Sequence, residues 1–281
     1  MGRGPVIRVP FVKMHGAAND FVVVDHREPF LPEPPDELFR RLCDRRRGVG
    51  ADGVLLLERD PELDFAMRYH NADGRVAEFC GNGARCLARF ALERGLGREG
   101  TVRFRSGAGT QTARRTPAGA IELHFGRVAA PGVPETIEVA GRAFTGRSIR
   151  VGVPHFVVGV ADVRSVPVVQ WGAALRRHRR FEPAGANIDF VTRLPSPDGA
   201  GPGRLAMRTY ERGVEAETLA CGSGAMAAAL WAAEEGDRSP VEVLTAGGEV
   251  LVVSFDAGVE DRDLRLTGPA EVAFAGTWEQ P

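Results

Sequence analysis

Two cysteines stand in matching positions, where a glycine-rich turn runs into an apolar segment. Cys80 opens "CGNGA" and Cys221 opens "CGSGA", and Gly95 and Gly236 each follow their cysteine by 15 residues. A helix N-terminus presents free backbone N–H groups and partial positive charge, and glycines let an anion approach that backbone closely. Each motif therefore predicts a carboxylate-binding cradle with a thiol at its edge.

Two thiols in matched settings favour a symmetric reaction. The field of a helix N-terminus is expected to lower the pKa of a cysteine there and to raise its thiolate fraction. In a racemisation, one thiolate removes the α-proton from one face of a carbon, and the opposite thiol delivers a proton to the other face. A lone cysteine before glycine is more often a packing residue, but the repeated spacing favours a catalytic pair. Cys43 and Cys86 lack that setting, and we expect both to be buried or incidental.

The composition is that of a globular chain without a strong charge bias. The 281 residues carry a net charge of −1, with 43% apolar and 26% charged residues, so nothing favours a nucleic acid or a membrane as a partner. No apolar run approaches the roughly 20 residues of a membrane span, and the first residues lack the apolar core of a signal peptide. We therefore expect a cytoplasmic protein with free thiols. The cysteines form neither a CxxC pair nor a zinc-type cluster with histidine, so no metal is expected.

The chain contains segments that echo each other in the same order. Besides the cysteine motifs, "AMRYHNADG" (66–74) resembles "AMRTYERG" (206–213), and "GAANDFVVV" (16–24) resembles "GANIDFVTR" (185–193). Proline- and glycine-rich stretches at 126–134 and 194–204 indicate a linker and a long loop. We place one domain at 1–127 and a second at 128–267.

Short runs of β-branched residues between turn signals dominate the rest and predict strands. Helices are predicted over 36–46, with Asp36 as the cap, and over 84–94, 171–180 and 225–235. The fold class is therefore α/β in the α+β sense, with two pseudo-symmetric domains that each wrap a mostly antiparallel β-sheet or barrel around a central helix. The last helix is apolar on all sides and should be buried on all sides, whereas the stripe of Arg85, Arg89 and Glu93 predicts a less enclosed second helix.

Six motifs together closely resemble the diaminopimelate epimerases: "KMHGAANDF" (13–21), "NADG" (71–74), "CGNGARC" (80–86), "ANIDF" (186–190), "YERG" (210–213) and "ETLACGSGA" (217–225). The resemblance runs from about residue 11 to "TGPAEV" (267–272). It implies an isomerase that interconverts LL- and meso-diaminopimelate, for lysine and peptidoglycan synthesis, without PLP, metal or other cofactor. It also implies an active site in the cleft between two domains, a last strand (about 268–281) that returns to the first domain, and a homodimer.

The resemblance carries roles onto individual residues. Cys80 and Cys221 match the two acid/base thiols, and His155 and Glu211 match residues that assist them. The positions that match substrate-binding residues are Asn19, Asn71, Gly81, Asn82, Asn187, Glu211, Arg212, Gly222 and Ser223. Arg212 suits bidentate binding of the distal carboxylate, because a guanidinium fork matches a carboxylate.

Three departures from the family pattern bear on the substrate, and one is that "ERGVEAETLACG" (211–222) is one residue longer than the commonest ERG-to-CG spacing. Val153 stands before Pro-His where many members carry Asn, and Gly53 stands where some carry Gln. A cofactor-independent racemase of a different amino acid therefore remains an alternative, as does a relative of the same fold that binds or isomerises a ligand without thiol chemistry. A PLP racemase would need Lys13, the only lysine, as its Schiff base, and Lys13 stands beside neither cradle motif.

Overall fold

The computed structural model describes residues 6–77, 79–139, 141–195, 203–256 and 261–280. The chain divides into two units, one of Met1–Leu123 with Pro269–Pro281 and one of His124–Gly268. Strands dominate both units and helices are few, which confirms the predicted α+β fold class. None of the helices in the described ranges is long and apolar enough to cross a membrane.

The strands, in chain order, are β1 (Ile7–Gly16), β2 (Asn19–Asp25), β3 (Gly53–Glu58), β4 (Phe65–Asn71), β5 (Val76–Ala77), β6 (Thr101–Ser106), β7 (Gly109–Arg115), β8 (Ile121–Ala129), β9 (Glu135–Val139), β10 (Arg142–Val151), β11 (Val153–Gly159), β12 (Asn187–Arg193), β13 (Gly203–Glu211), β14 (Ala216–Thr218), β15 (Val241–Leu244), β16 (Val250–Phe255), β17 (Asp261–Gly268) and β18 (Glu271–Gln280). The α-helices are α1 (Asp36–Leu42), α2 (Gly81–Glu93), α3 (Val168–Arg176) and α4 (Gly222–Glu234).

In the first unit the strands pair in the order β18–β1–β2–β3–β4–β6–β7, with β5 also on β4. The β2–β3 and β4–β6 pairs are parallel and the others antiparallel. Helix α2 packs on one face of this sheet and α1 on the other, because successive side chains of a strand point to opposite faces. Along β2, for example, Phe21 and Val23 join the α2 core, and Val22 and Val24 join the α1 core.

The second unit repeats this order and adds β17 at its end. Its order is β9–β10–β11–β12–β13–β15–β16–β17, with β14 on β13, and its parallel pairs are β11–β12 and β13–β15. Helix α4 packs against strands β10 to β13 and β15 to β17, and α3 packs against the opposite face of β12 and β13. Helix α4 therefore occupies the place that α2 has in the first unit.

The strand pairing corrects one of the expected repeats. Segment 187–193 forms β12, which follows the parallel strand β11, so its counterpart is β3 and not the β2 segment at 16–24. The two segments look alike because each leaves a Gly-Ala turn and enters a buried strand. The pairing of 66–74 with 206–213 holds, since β4 and β13 occupy the same place in the two orders.

The helices differ from expectation in two respects. Helix α1 begins at Asp36 itself, and Pro35 is its N-cap, so Asp36 is not the cap. Helix α2 is as enclosed as α4, with nine of its 13 residues buried in each case. The prediction of a less enclosed second helix is therefore wrong, and Arg85 of the charged stripe is fully buried. In the expected linker, residues 126–129 belong to β8. Residues 196–202 of the expected long loop lie outside the described part of the chain.

Candidate active site

Cys80 is the N-cap of α2, at the point where an extended backbone turns into the helix. Its Sγ lies 3.5 Å from Oδ1 of Asn19, and Nδ2 of Asn82 donates to the same oxygen at 3.2 Å. Asn19 in turn donates through Nδ2 to Asp52 Oδ2 at 2.7 Å. The first unit therefore brings the predicted residues Cys80, Asn19 and Asn82 together in one hydrogen-bonded group.

Cys221 is the N-cap of α4 and is only 4% exposed. The backbone N–H of Gly224 donates to its Sγ at 3.4 Å, which is a side-chain cap of the helix, and Ser223 Oγ lies 3.5 Å from the sulfur. The backbone N–H groups of Gly222 and Ser223 belong to the first turn of α4, where a helix offers no internal acceptor. The second unit thus brings Cys221 and Ser223 together at a helix mouth suited to a carboxylate.

A buried polar group lies beneath this helix mouth. His155 Nδ1 and Asp189 Oδ2 are 2.7 Å apart, both side chains are inaccessible to solvent, and Thr209 Oγ1 donates to Asp189 Oδ1 at 2.7 Å. A Cβ at Gly224 would lie 2.6 Å from Asp189 Oδ1, so glycine is what lets α4 sit directly on the carboxylate. Within the described chain His155 Nε2 makes no hydrogen bond. When Nδ1 of a neutral His155 ring donates to Asp189, Nε2 is the nitrogen that can accept a proton.

The electrostatics of Cys221 differ from the expectation of a lowered pKa. Burial raises the pKa of its thiol well above the ordinary value, and the negative charges of Glu211 and Asp189 raise it further. The hydrogen bonds from Ser223 and the Gly224 N–H oppose this effect and are outweighed. Cys221 is therefore held as a thiol near neutral pH.

The remaining predicted residues of the second unit lie around the end of β13. Thr218 donates to Glu211 Oε2 at 2.9 Å, and the backbone N–H of Arg212 donates to Oδ1 of the buried Asn187 at 2.8 Å. That bond fixes the chain at Arg212. In the first unit, Asn71 is exposed at the end of β4, where its N–H donates to Arg75.

The other two cysteines and the lysine are occupied elsewhere. Cys43 and Cys86 are buried, as expected, and burial raises the pKa of each thiol to about 12. Lys13 is buried against Asp20, with Nζ 2.6 Å from Oδ2, and also donates to the carbonyl of Gly50. Across the described ranges, no group of three or more His, Cys, Asp or Glu side chains is placed to hold a metal ion.

The register of the two sheets shows which residues correspond. Because Met67 and Met207 are equivalent in the repeat, the β3–β4 and β12–β13 ladders match Leu55 with Asp189 and Tyr69 with Thr209. The parallel ladders then match Phe21 with His155. In agreement with this, a Cβ at Gly83 would lie 3.0 Å from Leu55 and 3.4 Å from Phe21, where Gly224 meets Asp189.

Asp189, Thr209 and Arg85 were not predicted as site residues. Asp189 lies inside the quoted "ANIDF" motif, and a carboxylate on the helix-facing side of a buried strand is a recognisable signal. The sequence pattern around Arg85 is misleading. Its spacing with Arg89 and Glu93 predicts a charged stripe on a less enclosed helix, and its burial is seen only in the packed structure.

Comparison with known proteins places this geometry in a family. The sequence model of the family described as "Diaminopimelate epimerase" matches residues 11–129 and 147–272. The chain belongs to the diaminopimelate epimerase family. Two members of this family are similar over nearly their whole length, and both are named "Diaminopimelate epimerase". The Aquifex aeolicus (strain VF5) protein is 42% identical, covering 95% of this chain and 96% of that protein. The Chlorobaculum tepidum (strain ATCC 49652 / DSM 12025 / NBRC 103806 / TLS) protein is 36% identical, covering 94% and 99%. Like the other members of this family, the chain is an isomerase.

Solved structures of lower identity share the fold. A hydroxyproline epimerase from Agrobacterium vitis, crystallised with trans-4-OH-L-proline, is 17% identical with a TM-score of 0.70, covering 97% of this chain and 92% of that one. A Bacillus anthracis phenazine biosynthesis protein of the PhzF family is 16% identical with a TM-score of 0.67, covering 99% and 100%.

One departure from the diaminopimelate epimerase pattern has a local explanation. A Cβ at Gly53 would lie 2.6 Å from the ring of Tyr69 and would also meet the carbonyl of His70. The aromatic ring therefore fills the space into which a longer side chain at Gly53 would extend. No comparable contact accounts for Val153 in place of asparagine.

Proposed function

We propose that this chain interconverts LL- and meso-diaminopimelate by proton transfer between two cysteines. The observation that carries the proposal is the pair of thiols, Cys80 and Cys221, each at the N-cap of the helix packed against its unit's sheet, in a member of the diaminopimelate epimerase family. One thiolate takes the α-proton as the C–H bond breaks, and the carbon's electron pair moves into the adjoining carboxylate. The other thiol then protonates the opposite face. No electrons leave the substrate, and the cycle ends with the protonation states of the two sulfurs exchanged.

The cradles supply the binding of the reacting end. The first-turn N–H groups at Gly81–Asn82 and Gly222–Ser223 would hold the α-carboxylate, where a helix N-terminus also stabilises the extra charge of the deprotonated intermediate. The amides of Asn19, Asn71 and Asn187 would complete the contacts to the substrate. Since Asn187 Oδ1 already holds the Arg212 N–H, its Nδ2 is the group left for the substrate.

The chemistry requires no further group from outside the chain. His155, fixed by Asp189, and Glu211, held by Thr218, would position Cys221 and hold protons near it. We propose catalysis without PLP or metal, and Lys13, the only lysine, is engaged with Asp20. The substrate is a small amino acid rather than a nucleic acid or a membrane component. We assign the reaction to lysine and peptidoglycan synthesis in the cytoplasm, with residues 1–127 and about 268–281 as one epimerase half and 128–267 as the other.

We also propose that the enzyme is a homodimer that uses β18. Val272 and Phe274 on this strand are 43% and 50% exposed, and the Phe274 ring packs edge-on against Phe11 at 5.9 Å. Adjacent exposed apolar side chains on a sheet strand favour a second copy of the chain as the occupant. Light scattering should give twice the chain mass, and Phe274→Glu should shift it toward the monomer. A monomeric wild-type protein at micromolar concentration would refute this part.

The decisive experiment follows the α-proton. Metal-free, PLP-free enzyme is incubated with LL-diaminopimelate in D₂O, and we expect the meso product to contain deuterium before the remaining substrate does, because acceptor and donor thiols differ. Cys80→Ala and Cys221→Ala should each lose epimerisation by at least about three orders of magnitude, while the control Cys43→Ala keeps it. Substantial turnover by either active-site variant would overturn the two-thiol mechanism. Exchange with another amino acid, but none with diaminopimelate, would instead favour a racemase of different substrate.

A further inference from the structure

A buried arginine lies one turn into α2, five residues after Cys80. Arg85 is 0% exposed, and arginine is rarely fully buried without a partner of opposite charge. Yet each hydrogen bond that it makes to the described residues goes to a neutral oxygen: Asn82 Oδ1 at 2.8 Å, and the carbonyls of Gly81 and Pro269 at 3.4 Å each. The guanidinium therefore brings a positive charge into the core that these oxygens solvate without neutralising.

This charge is connected to Cys80 through the site's amides. Arg85 Nη2 donates to Asn82 Oδ1, which fixes that amide so that its Nδ2 faces Asn19 Oδ1. The same Asn19 oxygen accepts from the Cys80 thiol at 3.5 Å. In addition, burial lowers the pKa of Arg85, and the thiolate forms of Cys86 and Cys80 raise it, so the guanidinium interacts electrostatically with a Cys80 thiolate.

Among the residues that the structure describes, no carboxylate is paired with Arg85. Behind Asn19, two carboxylates and two cations balance each other in the group Lys13, Asp20, Arg45 and Asp52. The other titratable groups packed here are Cys86 on α2, which burial keeps as a thiol, and Tyr69 on β4. On the side of β1, a Cβ at Gly16 would lie 3.4 Å from Arg85 Nη2 and 2.9 Å from the Asn82 carbonyl, so glycine leaves the room for the guanidinium.

The fold itself does not require this charge. The equivalent position in the second unit, five residues after Cys221, is Met226, which is equally buried in the same kind of helix. We propose that Arg85 is a positioning residue for the reaction, one that supplies the counter-charge of the Cys80 thiolate and fixes the Asn82–Asn19 amide pair against that sulfur. The proposal rests on the proposed function only in that Cys80 must give up and regain a proton.

The test measures the thiol directly, so it does not depend on the identity of the substrate. Iodoacetamide alkylation of Cys80 is followed against pH by peptide mass spectrometry in wild type, Arg85→Met, Arg85→Gln and Arg85→Lys. Loss of an adjacent opposite charge shifts a pKa by about one to three units. We therefore expect alkylation of Cys80 below the midpoint to fall about tenfold or more in the two neutral variants, and less in Arg85→Lys, which keeps the charge but loses the fork.

Two controls separate this effect from a structural one. Arg89→Met removes the same charge one turn further along α2 and should leave the Cys80 profile unchanged, and alkylation of Cys221 should be unchanged in every variant. The epimerisation rate of the neutral variants should recover as pH rises, which a packing defect would not produce. A folded neutral variant with the wild-type Cys80 midpoint overturns the proposal. So does failure of both neutral variants to fold while Arg85→Lys folds, since Arg85 would then be structural. If the variants show the expected alkylation profiles but the wild-type protein has no epimerase activity, the result counts against the proposed function and not against the role of Arg85.

Discussion

The two cysteines share a backbone setting but lie in opposite electrostatic surroundings. Beneath Cys80 the strands present Phe21, Leu55 and Tyr69, and the helix adds the guanidinium of Arg85. Beneath Cys221 the equivalent strand positions carry His155, Asp189 and Thr209, and the helix adds Met226. The Cys80 thiol therefore lies above mostly apolar strand residues and near a buried cation, whereas the Cys221 thiol lies above a buried carboxylate.

This difference suits a reaction that is symmetric in its chemistry but not in its starting state. In the proposed two-thiol mechanism, a turnover begins with one sulfur as a thiolate and the other as a thiol, and two identical sites would not favour that distribution. Burial and two carboxylates raise the pKa of Cys221 and keep its proton in place. A repeated fold can thus surround its two thiols with unlike charges, since a few side chains under the helix N-terminus differ while the ladder hydrogen bonds stay the same.

Apart from the two cysteines themselves, the largest effect is expected at a position where only the second unit carries a charged side chain. Arg212 follows Glu211 in the second unit, and the equivalent position in the first unit is Ala72. Within the described chain the Arg212 guanidinium makes no hydrogen bond or salt bridge, while its backbone is held by Asn187. Charge-assisted hydrogen bonds contribute about 1.5–3 kcal/mol. Arg212→Lys should therefore lower kcat/KM for diaminopimelate by about one to two orders of magnitude.

The matched control for this variant is Arg177→Lys. That arginine lies on the surface nearby and pairs with Glu215 at 3.3 Å, so the same substitution should leave kcat/KM within about twofold. Steady-state kinetics in both reaction directions make the comparison. If Arg212→Lys matches wild type on diaminopimelate, the distal carboxylate is bound elsewhere or the substrate is a different amino acid.

The two cysteine sites could be predicted from the sequence, because their backbone conformation depends on residues close to them in the chain. The residues Cys80 and Cys221, their glycines and the Met67–Met207 repeat are short motifs whose conformation depends on a few neighbours. They predicted both helix mouths and the α+β fold. The strand partners were harder to predict, because "GAANDF" and "GANIDF" look alike although one enters β2 and the other β12.

What the sequence did not reveal depends on contacts between distant segments. Arg85 has the spacing of an exposed helical stripe with Arg89, and only the arrival of Gly16 and Pro269 beside it encloses the guanidinium. Likewise, the expectation of a low pKa for Cys221 considered its own helix alone. Burial raises the pKa of Cys221 most, followed by Glu211 and by Asp189, whose strand lies more than 30 residues earlier. Together they outweigh the hydrogen bonds from Ser223 and Gly224.

A smaller effect is expected from removing the charge under Cys221 while keeping the shape. Asp189→Asn keeps one acceptor oxygen, for His155, and places an NH2 donor at the other position, where the Thr209 hydroxyl can accept. It takes away a negative charge that raises the Cys221 pKa. Loss of the anion stabilises the thiolate, so the pKa must fall, although burial still keeps it above its ordinary value. A change of about one unit corresponds to about tenfold more thiolate at any pH below the midpoint.

Site-resolved alkylation at pH 8 should therefore label Cys221 about tenfold faster in Asp189→Asn than in wild type, with Cys80 unchanged as the internal reference. Asp162→Asn, on the surface of the same unit, should alter neither cysteine. The buried pair with His155 also stabilises the fold, so the free energy of unfolding should drop by about 1–3 kcal/mol. Slower or unchanged labelling of Cys221 in a folded Asp189→Asn protein would show that burial and Glu211 raise its pKa without a contribution from Asp189. The electrostatic difference between the two cysteines would then come from the cation of Arg85 near Cys80 and not from the carboxylate of Asp189 near Cys221.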